Sequence, residues 1–139
     1  MSRVINPNAL GKEREHLVKA IVLALRELAQ QSSTNEQTHD LTAFVVLSLE
    51  TIAATIDPSV QAWEKKGYWV KADRFRMDWM WTGQYAKTLR EALLSQDWSQ
   101  VVLSSVKIGG KLNNVKIPVR NRIGQPWVGA WKRLSETNV

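Results

Sequence analysis

Cysteine is absent from this 139-residue chain, and its absence excludes disulfides, zinc–thiolate sites and thiol catalysis. Histidine is nearly missing too. His16 and His39 are the only two, and neither accompanies a G-x-S-x-G nucleophile elbow. Nor is there a long apolar run. The longest, "LTAFVVLSLETIAATI", covers sixteen residues, includes Glu50 and ends at Asp57-Pro58. That is too short for a bilayer span and reads as a core helix. The start, "MSRVINPN", has no apolar h-region, so a cytoplasmic protein without membrane contact is expected. No internal repeat or low-complexity tract occurs, and the length suits one domain with a real core.

Acid is scarce at one end. Residues 1–97 hold twelve Lys/Arg and twelve Asp/Glu, whereas residues 98–139 hold seven Lys/Arg against Glu136 alone. The whole net charge of +6 therefore lies in the last third. Such asymmetry points to an anionic partner, or to a solvated basic tail.

Apolar residues recur at helical spacing in "HLVKAIVLALRELAQ", predicting a first helix over about 12–30. A polar loop, "QSSTNEQTH", separates it from a second helix, for which Asp40 is a suitable N-cap. Asp57 and Pro58 look like the cap and first position of a new helix that Gly67 stops. A long helix is expected from Tyr68 to Leu94. A shorter one, capped by Ser95 or Asp97, runs through "WSQVVLSSVKI" and weakens at Gly109-Gly110. After Asn114 the period falls to two: Val115, Ile117, Val119 and Ile123 alternate with Lys116, Arg120 and Arg122. Pro118 limits this stretch to an edge strand or an extended arm. The expected fold is thus all-α, a small helical bundle of four to five helices over residues 1–114. Residues 115–139 form an extended basic and aromatic C-terminal arm, packed on the bundle or projecting from it.

Residues 65–81, "KKGYWVKADRFRMDWMW", crowd aromatics among lysines and arginines. That composition suits a surface that stacks bases, and equally a helix buried on more than one side. Tyr68, Ala72, Phe75, Trp79, Thr82, Ala86, Leu89 and Leu93 advance by alternating fours and threes, which is a packing seam. Trp81, Met77, Tyr85 and Ala92 form a second apolar stripe. A helix apolar over more than half its circumference is expected between two neighbours. Burying one Trp returns about 4–6 kcal/mol gross, against about 1–3 kcal/mol for stacking a base on an exposed ring. Core is therefore the expectation for Trp79, Phe75 and Tyr68. Trp69, on the polar sector with Arg76, is the better candidate for an exposed aromatic.

Catalytic chemistry finds few supports. Glu13/His16 and Glu36/His39 have the Glu-x-x-His spacing of di-iron bundles, but they fall in a charged first turn and a polar loop. Glu50, inside an apolar helix, could add a ligand. Pairing with a basic residue fits it better. Asp73 and Asp78 lie about 140° apart on one helix and make no acid–base pair. Gly109-Gly110-Lys111 lacks the spacing and the Ser/Thr of a P-loop. The sequence therefore predicts no enzyme, no metal and no cofactor.

The arm carries a stronger pattern. Lys107, Lys111, Lys116, Arg120, Arg122, Lys132 and Arg133 come with almost no opposing charge, and Trp127 and Trp131 stand among them. Cations along a track beside aromatic platforms suit single-stranded nucleic acid. The apolar side of the arm, Val115, Ile117, Val119, Trp127 and Trp131, would strap it to the bundle. The expected function is non-enzymatic binding of an RNA or single-stranded DNA backbone, alone or in a ribonucleoprotein. The alternative is an assembly subunit whose arm docks on a protein partner.

"AWEKKGYWVKADRFRMDW" followed by "PWVGAWKRL" resembles a set of short helical bacterial proteins of no assigned activity, so no functional residue is carried over. In size, helicity and basic charge the chain also looks like small helical subunits of bacterial CRISPR effector complexes. That likeness implies a place lining nucleic acid.

Overall fold

The computed structural model describes residues 7–137. The fold is all-α, and no strand occurs among those residues. Seven helical segments follow in order: α1 (Pro7–Ala29), α2 (Glu36–Ala54), α3 (Ile56–Lys65), α4 (Trp69–Trp79), α5 (Trp81–Leu94), α6 (Trp98–Lys111) and α7 (Ala130–Thr137). Thr55 joins α2 to α3, and Met80 joins α4 to α5, each with right-handed helical dihedrals.

α2 is the centre. Its residues Leu41, Val45, Val46, Leu49 and Ile52 are buried, and α1, α5 and α7 pack around it. α5 lies alongside with the expected seam inward: Thr82, Ala86, Leu89 and Leu93 are all buried. A Cβ added to Gly83 would stand 3.6 Å from Ala53 Cβ, so small residues allow the close approach here. Forty residues apart in sequence, Glu50 and Arg90 meet across the same pair of helices. Arg90 Nε and Nη2 donate to the two carboxylate oxygens at 2.8 and 2.7 Å. The acid inside the apolar helix is thus paired with a base, and those bonds hold the Arg90 guanidinium above its ordinary pKa. α6 covers α5 and touches α1.

At the far end of α2, α3 turns back at Gly67 (φ 79°), a left-handed position that glycine takes without steric cost. α4 then packs on α3 around a small second core of Ile56, Val60, Ala72 and Phe75. Trp63 meets Phe75 edge-to-face at 4.8 Å, and Trp79 bridges the two cores. The Arg14 guanidinium of α1 lies 4.4 Å from the Phe75 ring centre and 5.3 Å from that of Trp79. Its Nη1 is buried with no hydrogen-bond partner, and desolvation draws the group below its ordinary pKa. The negative ring faces provide the compensation a carboxylate would otherwise give.

Several expectations change. Asp40 does not cap α2. Asn35 does, accepting from Thr38 N while the Thr38 hydroxyl takes the Asn35 N–H, a capping box one turn earlier. A new helix does begin here, but its cap is Thr55 and its first residue Ile56, so Asp57 is not the cap and Pro58 falls in the first turn, where its missing N–H has no helical acceptor to lose. Residues 68–94 are not one unbroken helix. At the break, Trp81 Nε1 donates to the Asp78 carbonyl and Thr82 Oγ1 to that of Trp79. Tyr68 and Met77, expected inside, are 54% and 67% exposed. Tyr68 precedes α4, and Met77 looks away from α3. Gly109 and Gly110 do not weaken α6, which runs through both to Lys111.

Candidate nucleic-acid interface

Leaving α6, the chain is fixed to the bundle by Val115 and Ile123, which pack on the main core. Between them Ile117 is half-buried, and Lys116 and residues 118–122 are exposed. The Asn121 side chain shapes the bend, donating to the Pro118 carbonyl and accepting from Ile123 N. Such an Asx turn breaks the two-residue alternation. Val119, expected on the strapped side, is instead 102% exposed at the tip. Lys116, Arg120 and Arg122 surround it, all exposed. The segment is a basic loop and not a ribbon.

Beyond Gly124 the chain returns to the body. Trp127 is 4% exposed, edge-to-face with Phe44 at 6.4 Å. Its ring has no free face for a base, so Trp127 leaves the set of expected stacking platforms and joins the core. Ala130 and Leu134 follow it inside. The start of α7 is held by Asp40, whose carboxylate accepts Gly129 N at 3.1 Å and Trp131 N at 2.9 Å. A carboxylate beside free N–H groups at a helix start is a cap in chemistry. Here it comes from another helix. Trp131 is half-buried against His39, which also meets Trp98; both ring centres lie 5.0 Å away. His39 Nδ1 is 2.8 Å from the Asn35 carbonyl. His39 therefore serves a ring cluster joining α2, α6 and α7, and Glu36 is exposed outside it.

Lys107 and Lys111, four apart on α6, project from one side of it and are exposed, as are Lys132 and Arg133 on α7. Arg133 turns back to the Val128 and Pro126 carbonyls at 3.4 Å each. Among the described residues no carboxylate lies within 4.0 Å of any of these seven cations; the ion pairs are Lys19–Glu15, Arg76–Asp73 and Arg90–Glu50. Elsewhere a cavity of about 370 Å³ opens between α1 and α6. Leu25, Leu28, Trp98, Val102 and Val106 give it an apolar lining, and among the described residues no carboxylate, imidazole or amine lines it.

At the start of α4, Trp69 is exposed as its place on the polar sector predicts, whereas Tyr68 departs from the expected core. Tyr68 stands out in solvent beside Trp69, which is 63% exposed, with Lys65 and Lys66 just before them. The signal was Gly67: a residue beside a left-handed turn stands outside the helical seam. Among known proteins, no family model, no curated sequence and no solved structure matches this chain.

Proposed function

We propose that this is a non-enzymatic protein that binds the phosphate backbone of RNA or single-stranded DNA through the cations of its C-terminal third. One observation carries the reading: all seven are exposed and none has a carboxylate counter-ion among the described residues. Unneutralised cations on an ordered scaffold bind polyanions by releasing condensed counter-ions, without needing a pocket. Docking on a protein partner through the arm gains less support, because Trp127, Ala130 and Leu134 are already inside the chain's own core.

Salt tests the proposal. With a labelled single-stranded oligonucleotide, neutralising five phosphates gives a slope of log K against log salt of about −3.5. A binding constant indifferent to salt, or no binding at low salt, overturns it.

A further inference from the structure

α4 has an apolar second side that stands exposed, with no described element packed on it. Ala72 and Phe75 face α3 and Trp79 bridges inward, yet Trp69, Val70, Met77 and Met80 are 63%, 76%, 67% and 62% exposed. At 100° per residue these four fall within about 100° of one another. They form one face. With on the order of 100 Å² open on each, and Tyr68 adjoining, the patch reaches the size of the largest that monomers carry, about 300–600 Å². A helix apolar on two sides belongs between two neighbours, and among the described residues α4 packs mainly on α3, with Arg14 of α1 over its inner rings and Trp79 reaching the main core.

Charge narrows what the missing neighbour is. Arg74 and Arg76 are two positions apart, about 200° around the helix, so they border the face on opposite flanks. Lys65 and Lys66 stand at its entry, and among the described residues Arg74, Lys65 and Lys66 have no ion pair within 4.0 Å. Asp73 lies in the middle of the face, 4.0 Å from Arg76. A central carboxylate opposes a phosphate backbone or an anionic bilayer laid across it, whereas a protein helix can cover it while Arg76 stays as its counter-ion. Val70, Met77 and Met80 also offer no flat ring for a base. Methionine's unbranched thioether moulds instead to another helix.

We infer that the outer face of α4 docks an amphipathic helix of a partner protein, apolar along its centre and carrying Glu or Asp along both edges. The site is separate from the basic arm and stands whether or not the arm binds nucleic acid.

Two labelled model helices test this, sharing a Leu/Met stripe and differing only in Glu or Lys flanks, each titrated into the full chain by fluorescence anisotropy. The Glu-flanked helix binds at least tenfold more tightly. Val70→Ser with Met77→Ser lowers that affinity at least tenfold while the circular dichroism spectrum and melting temperature stay in place. Lys116→Ala with Arg120→Ala and Arg122→Ala leaves it unchanged, separating this face from the arm. Equal binding of the two helices, no binding, or binding lost only in the arm variant overturns the inference. So does a serine pair that abolishes binding to an oligonucleotide or to phosphatidylserine vesicles, or one that dissolves a dimer of the chain in sedimentation.

Discussion

Asp40, one turn into α2, accepts the backbone N–H of Trp131 at 2.9 Å across ninety-one residues of sequence. Its second oxygen takes the N–H of Gly129 at 3.1 Å. Gly129 has φ 83°, so the chain enters α7 through a left-handed residue with the carboxylate at the mouth of the turn. This contact fixes where the segment between α6 and α7 ends. Replacing Asp40 by Ala leaves two partly buried donors without acceptors and costs about 1–2 kcal/mol in chemical denaturation. Hydrogen exchange of the Gly129 and Trp131 amides accelerates by more than the global loss accounts for. Unchanged exchange at those two amides would show that the clamp contributes nothing.

The seam of α5 was legible because three- and four-residue steps of Thr82, Ala86, Leu89 and Leu93 encode one buried face. The pairing of Glu50 was legible in kind, since an acid in an apolar helix needs a base, but Arg90 was one of many candidates. Asp40 shows what sequence lacks. Its cap chemistry could be read, yet nothing local says that the N–H groups lie on α7 and not on its own helix. Asn35 and Thr38 carried the better local signal. Likewise the alternation in residues 115–123 described a strand that no neighbour pairs with, so Asn121 could bend it and turn Val119 outward. Trp127 and Trp131 share an aromatic identity but not an environment; only tertiary packing on Phe44 buries the first.

Two tryptophans of α4 separate scaffold from surface. Trp79 sits between both cores and under the Arg14 guanidinium, so Trp79→Ala removes ring burial and one face of a cation–π contact. The expected loss is about 3 kcal/mol, the low end for a core tryptophan because the ring is half-buried. Trp69→Ala changes stability by less than about 0.5 kcal/mol, as surface substitutions do. Parallel urea melts of the two variants decide the point; similar losses would place Trp69 in the core.

The Glu50–Arg90 pair links α2 to α5 with side chains 37% and 19% exposed. Solvent screens such a pair, but its fork geometry is well formed. Glu50→Gln costs about 1 kcal/mol, and Arg90→Lys costs a similar amount because an ammonium cannot make both bonds. A double-mutant cycle with Glu50→Ala and Arg90→Ala returns a coupling energy of about 0.5–1 kcal/mol that shrinks in high salt. Zero coupling would mean that the contact carries no stability.

Net charge alone attracts polyanions weakly, so the arm must be tested against an equal change of charge elsewhere. Lys116→Ala, Arg120→Ala and Arg122→Ala together remove three exposed, unpaired cations from the loop. Lys12→Ala, Arg26→Ala and Lys87→Ala remove three exposed cations from the balanced body. Both triple variants carry the same net charge, and both keep the melting temperature nearly unchanged because no packing is lost. If phosphates are held locally by the loop, the first variant flattens the salt slope for a single strand from about −3.5 to about −1.4, at roughly 0.7 per lost contact. The second leaves the slope in place and shifts affinity only slightly, since charges beyond a Debye length of about 8 Å at physiological salt are screened. Equal slopes in the two variants would mean that the protein attracts nucleic acid by its overall charge and that the loop holds no phosphate.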